Sequence, residues 1–203
     1  GYALIQKLIA RGANQINIHY MISKQSIDFA YTVCNDIKND ERLKGLNAIV
    51  FLGLKPKNRG QQFDVLETDD YIKLVNYALD NEVPFGFDSC SAPKFEEAVD
   101  RSTTIDDVRK KLLKTCSERC ESGLFSSYID ASGHYWHCSF GEGMEIAYGI
   151  DVTKVKDFTK EVWLSDPMTK WRNRLFELNR ECPLYKEIHI DPDKAQGVFP
   201  DKV

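Results

Sequence analysis

Cys120, Gly133 and Cys138 carry the strongest chemical signal in this sequence. Twelve residues separate the first cysteine from the glycine, and four separate the glycine from the second cysteine. The stretch between reads as a strand from Phe125 to Ile129, a tight Ala-Ser-Gly turn and a second strand from Tyr135 to Cys138. A hairpin of this kind brings two thiolates from distant positions to one edge, where a metal ion or an iron–sulfur cluster can hold both. Cys182, just past a helix, and Cys90, at a strand end, extend the set to four. Tetrahedral sulfur coordination suits zinc or an iron–sulfur cluster. Cys116, four residues before Cys120 on the same expected helix face, competes for the fourth place. Cys34 sits in an apolar helical stripe and reads as core. The competing explanation for the whole set is burial, because free cysteine is among the most buried residue types. His134 and His137 flank the hairpin, and alternation puts His137 on the face opposite Cys138, which argues against a ligand role.

The elements that must position these residues follow from hydrophobic periodicity. Leu4, Ile5, Leu8 and Ile9 have helical spacing, closed by Gly12, and 16–22 is an apolar run of strand length. Ile27, Ala30, Tyr31, Cys34 and Ile37 form a helical stripe, and 48–52 a second strand. Tyr71, Leu74, Val75, Ala78 and Leu79 make another helix, with Thr68 or Asp69 as its cap, before a third strand at 84–88. Helix and strand in this alternation demand a parallel sheet with crossover helices, and three repeats of the unit point to part of a (β/α) barrel. In such barrels function gathers at the C-terminal ends of the strands. Here those ends are Ser23, the loop from Leu54 to Gly60 and the segment from Asp88 to Cys90.

From about residue 94 the pattern changes to a smaller α+β region that carries the hairpin. A helix is expected over 105–118, and a later one is opened by Ser165-Asp166-Pro167 and striped by Met168, Trp171, Leu175 and Leu178. A polar tail over 191–203 closes the chain. The helical spacing that begins at the first residues, with no cap or initiating methionine, gives the expectation of a chain that opens in the middle of an architecture.

Bulk properties narrow the partners. The 203 residues carry a net charge of −4, with 42% hydrophobic and 29% charged residues, as in an ordinary globular protein. No basic stripe is available to neutralise phosphates, so nucleic acid is not an expected partner; Arg109-Lys110-Lys111 reads as a solvated helix face. No stretch reaches the ~20 apolar residues of a membrane span. Six cysteines without secretory features give the cytoplasm as the expected address.

At this point the sequence resembles a family. The spacing Cys-x12-Gly-x4-Cys is similar to the opening motif of SPASM and twitch domains, which follow the partial barrel of many radical S-adenosylmethionine enzymes and hold auxiliary [4Fe–4S] clusters. Ile18-His-Tyr-Met-Ile-Ser23 resembles the family's fourth barrel strand, Ile49-Val-Phe-Leu-Gly-Leu-Lys-Pro-Lys-Asn-Arg59 its fifth and Phe85-Gly-Phe-Asp-Ser-Cys90 its sixth. Val162-Trp163, the helix after it and Cys182 resemble the end of the SPASM region. The resemblance implies a C-terminal barrel half over 1–93 and an auxiliary-cluster domain over 94–190. It implies cluster ligation by Cys90, Cys120, Cys138 and Cys182. It also implies an S-adenosylmethionine pocket touched by Ser23, then His19, with Lys55 and Asp88 at the barrel mouth. Each pocket residue has a plainer reading. A serine ending a strand equally caps the next helix, a histidine on an apolar strand is more often a core residue, and Lys55, Lys57 and Arg59 equally form a solvated loop.

Two departures qualify the resemblance. The further Cys-x2-Cys-x5-Cys-x3-Cys group of a full SPASM domain is absent, and Tyr185 stands where a partner of Cys182 would be, so one auxiliary cluster is expected rather than two. The Cys-x3-Cys-x2-Cys motif that holds the family's catalytic cluster is absent too. Cys116 and Cys120 have its first spacing, but Gly123 occupies the third place. In the family that cluster reduces S-adenosylmethionine to a 5′-deoxyadenosyl radical that abstracts hydrogen from a substrate, and the analogy implies a peptide or protein as that substrate. The missing barrel half is then the first expected partner, and the 203 residues alone are expected to be inactive. Two other classes compete: a non-catalytic zinc-binding module, and a barrel fragment with buried cysteines and no cluster. No Ser/His/Asp set, phosphate-binding glycine loop or paired-histidine motif supports a hydrolase or kinase.

Overall fold

The computed structural model describes residues 1–142 and 149–183, apart from the side chain of Asn58. Tyr185 and the expected polar tail lie outside the described residues. The chain divides into two units, Gly1–Glu118 and Arg119–Val203.

The first unit opens with helix α1 (Tyr2–Ala10). Gly12, at φ +81°, ends it: Gly12 N–H bonds Ile9 O at 2.9 Å and Ala13 N–H bonds Leu8 O at 3.1 Å, the paired bonds of a left-handed helix stop. Strand β1 (Asn17–Ile22), helix α2 (Ile27–Asn39), strand β2 (Ala48–Gly53), helix α3 (Thr68–Asp80) and strand β3 (Phe85–Phe87) follow, then helices α4 (Ala92–Arg101) and α5 (Asp107–Thr115). The sheet is parallel in the order β1-β2-β3, with Ile18 opposite Ile49 and Ile49 opposite Phe85. Helix α3 starts one residue earlier than a Thr68 cap implied and two earlier than an Asp69 cap implied. Glu67 is the cap, in a reciprocal capping box with Asp70.

The two sheet faces differ. Ile18, Tyr20, Ile22, Ile49, Phe51, Phe85 and Phe87 share one face and pack with α2 and α3 residues such as Ala30, Val33, Cys34, Tyr71 and Leu74. Parallel crossovers are right-handed, so strands added in one direction put every crossover helix on the same side. The opposite face carries His19 and Met21 from β1, Val50 and Leu52 from β2, and Gly86 from β3. Neither hydrophobic cluster of the first unit includes these residues, and Met21 is 52% exposed. His19 is exposed on this face, which corrects its reading as a core histidine. Phe95, Val99 and Ile105 extend the covered side against Val75, so α4 and the segment leading into α5 belong to the first unit.

The second unit holds an antiparallel sheet in the order β4 (Tyr128–Ile129), β5 (His134–Trp136), β6 (Ile150–Asp151), and helix α6 (Asp166–Glu177). Strand β4 is shorter than the expected 125–129. Gly123, at φ +68°, turns the chain first, with Phe125 N–H on Glu121 O at 3.1 Å, and leaves Phe125 exposed. Met168, Trp171 and Leu175 on α6 are buried, as their spacing requires; Met168 and Trp171 pack with Tyr135 and Val162. No described helix is long and apolar enough to cross a membrane.

Candidate metal centre

Cys120 and Cys182 meet because of how α6 ends. Its last turn closes with Asn179 N–H on Phe176 O at 2.9 Å and Arg180 N–H on Leu175 O at 2.7 Å. Asn179 and Arg180 both adopt left-handed backbone (φ +51° and +59°), a costly geometry away from glycine. The reversal is fastened to the Cys120 segment. Cys120 N–H donates to Arg180 O at 3.2 Å, Arg180 Nε donates to Cys120 O at 3.0 Å and Arg180 Nη2 to Arg119 O at 2.8 Å. Arg119 Nη1 reaches Asn179 O at 2.8 Å. Two residues on, Cys182 is hydrogen-bonded with the Cys120 sulfur.

That sulfur is buried, and Ser122 Oγ lies 3.5 Å from it. The hydrogen bond from Cys182 is the main influence drawing the Cys120 thiol below its ordinary pKa; burial opposes it, and Ser122 and the Arg180 charge assist. Trp171 Nε1 donates to Ser122 O at 3.1 Å and Ser122 Oγ at 3.2 Å, which pins the Cys120 loop on α6. Arg172 Nη1 adds a bond to Gly123 O at 3.1 Å.

The hairpin that carries Cys138 is built on Asp130. Its carboxylate accepts from Ser132 N–H at 2.8 Å, Ser132 Oγ at 2.7 Å, His134 N–H at 2.9 Å and Trp136 Nε1 at 2.9 Å. These bonds, led by the His134 amide, hold the carboxyl far below the usual carboxylate range. Gly133 takes φ +84°, and a Cβ there would stand 2.7 Å from Thr153 Cγ2. Cys138 and Cys182 pack on the same apolar cluster around Tyr135, Met168 and Trp171. His137, one residue before Cys138, is fully buried with its ring centroid 3.4 Å from that of Trp171, and burial pushes its pKa down to about 3.

The unit therefore brings Cys120 and Cys182 into contact and sets Cys138 on the apolar cluster against which Cys182 also packs. Among the described residues, no three His, Cys, Asp or Glu side chains stand together as a group able to hold one metal ion. Cys90 belongs to the first unit, in the turn before α4. Cys116 does not share a helix face with Cys120: α5 stops at Thr115 and Cys116 is its exposed cap. Cys34 is core, with burial raising its thiol to about 11.

No protein-family model matches the chain. No curated protein and no solved structure matches it either.

Three of the expected pocket residues, Ser23, Lys55 and Asp88, follow the C-terminal ends of the parallel strands. Ser23 is buried and serves the start of α2: its carbonyl accepts from Ser26 N–H at 3.1 Å and Ile27 N–H at 3.0 Å, and its hydroxyl is 3.1 Å from Ser26 Oγ. Lys55 and Asp88 form an ion pair with each other, both largely shielded from solvent. Asp88 Oδ1 also accepts from Ser91 N–H at 3.2 Å and Gly53 N–H at 3.3 Å, and takes the Ser91 hydroxyl. Gly53 is required there, because a Cβ would run into Ser91 and stand 2.9 Å from the Tyr71 hydroxyl. Lys55 and Asp88 thus tie β2 to the end of β3. His19 is on the open sheet face, away from this node. Arg59 is exposed.

Two contributors escaped the sequence reading. Asp130 had a signal, since Asp-x-Ser-Gly is an Asx-turn pattern. Arg180 had none: its role depends on two non-glycine residues taking left-handed backbone.

Proposed function

We propose that this chain is the C-terminal portion of a radical S-adenosylmethionine enzyme, which supplies part of the cofactor pocket and one auxiliary [4Fe–4S] site. The observation that carries the proposal is the meeting of Cys120 with Cys182, which packs on the apolar cluster that also takes Cys138. In a four-iron cluster each thiolate takes its own iron, so ligands need not converge on one point. Cys120, Cys138 and Cys182 would supply three such thiolates. When bound, such a cluster supplies electron transfer, or an open iron for substrate if only three cysteines hold it. The chain's own groups supply the rest: Arg180 and Ser122 favour the Cys120 thiolate, and the buried cluster around Trp171 keeps water from it.

The one-sided parallel sheet supports the barrel half of the proposal. Sheets of this kind are buried on both faces, and the interior of a (β/α) barrel is filled by inward side chains of its strands. Met21, Val50 and Leu52 are the apolar side chains such an interior uses. In the pocket, Ser23 would present backbone and hydroxyl groups already fixed by Ser26. The Lys55–Asp88 pair would act by holding two strand ends in register. The family's analogy supplies a peptide or protein as the substrate class.

A second reading, a structural zinc module, is favoured by one observation. Tetrahedral zinc with Zn–S near 2.3 Å places its sulfurs about 3.8 Å apart, close to the spacing of thiols in hydrogen-bond contact.

Anaerobic reconstitution with iron and sulfide separates the two. The proposal expects the broad visible absorbance of a [4Fe–4S] cluster in the chain, lost in Cys120→Ala, Cys138→Ala and Cys182→Ala. Cys90→Ala reports whether Cys90 is the fourth ligand. Uptake of zinc with no iron–sulfur absorbance overturns the proposal in favour of the zinc module.

A further inference from the structure

The sulfurs of Cys120 and Cys182 are in hydrogen-bond contact, and both residues are thiols. Among the described residues, no third His, Cys, Asp or Glu joins them in a group able to hold a metal ion. Two sulfurs are what a disulfide needs, and the backbone around them is already fixed for one. Cys120 N–H donates to Arg180 O at 3.2 Å. Arg180 returns two bonds, Nε to Cys120 O at 3.0 Å and Nη2 to Arg119 O at 2.8 Å, and Arg119 Nη1 reaches Asn179 O at 2.8 Å. Main-chain atoms and guanidinium groups make all four bonds, so the two segments are held side by side without help from the sulfurs. A disulfide bond is about 2 Å long, shorter than a contact between two thiols. Closing it therefore falls to rotation of the two short side chains, with the chain already in place.

The two thiols differ in access: Cys120 is 5% exposed, whereas Cys182 is only partly covered. We infer that Cys120 and Cys182 are a reversible redox pair closed by a low-molecular-weight disulfide, with Cys182 as the entry thiol and Cys120 as the resolving one. The Cys182 sulfur attacks one sulfur of the small disulfide, whose S–S bond breaks, and one small thiol leaves with the Cys182 proton. Cys120 then attacks Cys182 Sγ, forms the protein disulfide and expels the second small thiol, which takes the Cys120 proton. Two protein thiols are oxidised and one small disulfide is reduced to two thiols. Excess small thiol runs both steps backward. The inference stands apart from the cluster reading, because it concerns the metal-free chain and needs two sulfurs only. While closed, the pair offers neither sulfur to a metal.

The bond would close a loop of about sixty residues between the Cys120 segment and the end of α6. A cross-link of that kind restricts the unfolded chain and so stabilises the folded one. Trp171 reports on the same place, since its indole N–H is bonded to Ser122, which touches the Cys120 sulfur.

The test uses the full chain, stripped of metal with a chelator and fully reduced. It is equilibrated with mixtures of oxidised and reduced glutathione, quenched in acid, and mapped by alkylation and peptide mass spectrometry. The expected product is a cross-link joining the Cys120 peptide to the Cys182 peptide, reversed by reduced glutathione. The urea midpoint read by tryptophan fluorescence should rise by about 1–2 M on oxidation, and Cys138→Ser should show the same cross-link and shift. In Cys120→Ser, Cys182 should be trapped as a mixed disulfide with glutathione, whereas in Cys182→Ser the buried Cys120 should stay unmodified. Glutathione on Cys182 of the wild-type chain without a cross-link to Cys120 overturns the inference. So does a cross-link of either residue to Cys138, or no oxidation of the two. These outcomes are read in the wild-type chain, so the test holds even if a variant fails to fold. Iron and sulfide uptake by the reduced chain, measured separately, decides the cluster reading without deciding this one.

Discussion

The two faces of the parallel sheet are expected to answer substitution very differently. Phe51 is fully buried in β2 and packs with Phe85, Phe87 and the α3 residue Tyr71 through the covered face. Removing a buried aromatic ring costs about 3–5 kcal/mol, a large share of the ~5–15 kcal/mol that holds a typical domain together. Met21 in β1 points to the other face and is 52% exposed. Truncation there removes little buried surface, and a surface substitution away from special features changes stability by about 0.5 kcal/mol or less. Phe51→Ala and Met21→Ala, compared by urea unfolding of the whole chain, make the test. All three tryptophans, Trp136, Trp163 and Trp171, lie after residue 118, so far-UV circular dichroism is the signal for the first unit and tryptophan fluorescence the control for the second. With a urea slope near 2 kcal/mol/M, Phe51→Ala should lower the circular dichroism midpoint by roughly 2 M, and Met21→Ala should leave it almost unmoved. Met21→Lys should be tolerated as well. Comparable losses at Phe51 and Met21 would refute the one-sided sheet, and the support it lends to a barrel half would go.

Other expectations follow from single residues. Cys34 is buried in α2 with its thiol raised to about 11, whereas the unfolded chain releases that proton near pH 9. Its stabilising contribution is therefore full below pH 9 and lost as the pH rises toward 11, about 1 kcal/mol by pH 10; Cys34→Ala should remove that part of the alkaline slope, and an unchanged slope contradicts the assignment. Gly133→Ala places a Cβ at φ +84° and 2.7 Å from Thr153 Cγ2, so tryptophan fluorescence should report a loss of about 1–3 kcal/mol. Adding Thr153→Ser should recover the contact portion but not the backbone portion, and wild-type stability in Gly133→Ala would remove the turn from the account. Because the chain lacks Cys-x3-Cys-x2-Cys, it should not cleave S-adenosylmethionine under reducing conditions; formation of 5′-deoxyadenosine by purified chain would show that another group initiates the chemistry.

How far the sequence disclosed this architecture depends on whether the deciding forces are local. The parallel sheet was legible because apolar runs at 16–22 and 48–52 alternate with striped helices, and a short apolar run precedes residue 88. Gly12 announced its helix stop for the same local reason. The Met168, Trp171 and Leu175 stripe was equally open to reading. The errors came where one contact outweighed a propensity. Gly123 turns the chain before β4 can begin, and α5 ends at Thr115 instead of carrying Cys116 and Cys120 on one face. The Glu67–Asp70 box displaced two better-ranked cap residues. At the site, the cysteines were visible by type and spacing, but the Cys120–Cys182 contact depends on Arg180 bridging two segments sixty residues apart. The burial of His137 was hidden because alternation gives a face, not what packs on it.

The central claim, that these cysteines hold an auxiliary iron–sulfur cluster, is tested most directly by the iron, sulfide and zinc content of anaerobically purified chain, with Cys120→Ala and Cys138→Ala beside it. The account expects roughly four irons and four sulfides per chain, lost in both variants. One zinc per chain with no sulfide, or no metal at all, would contradict it.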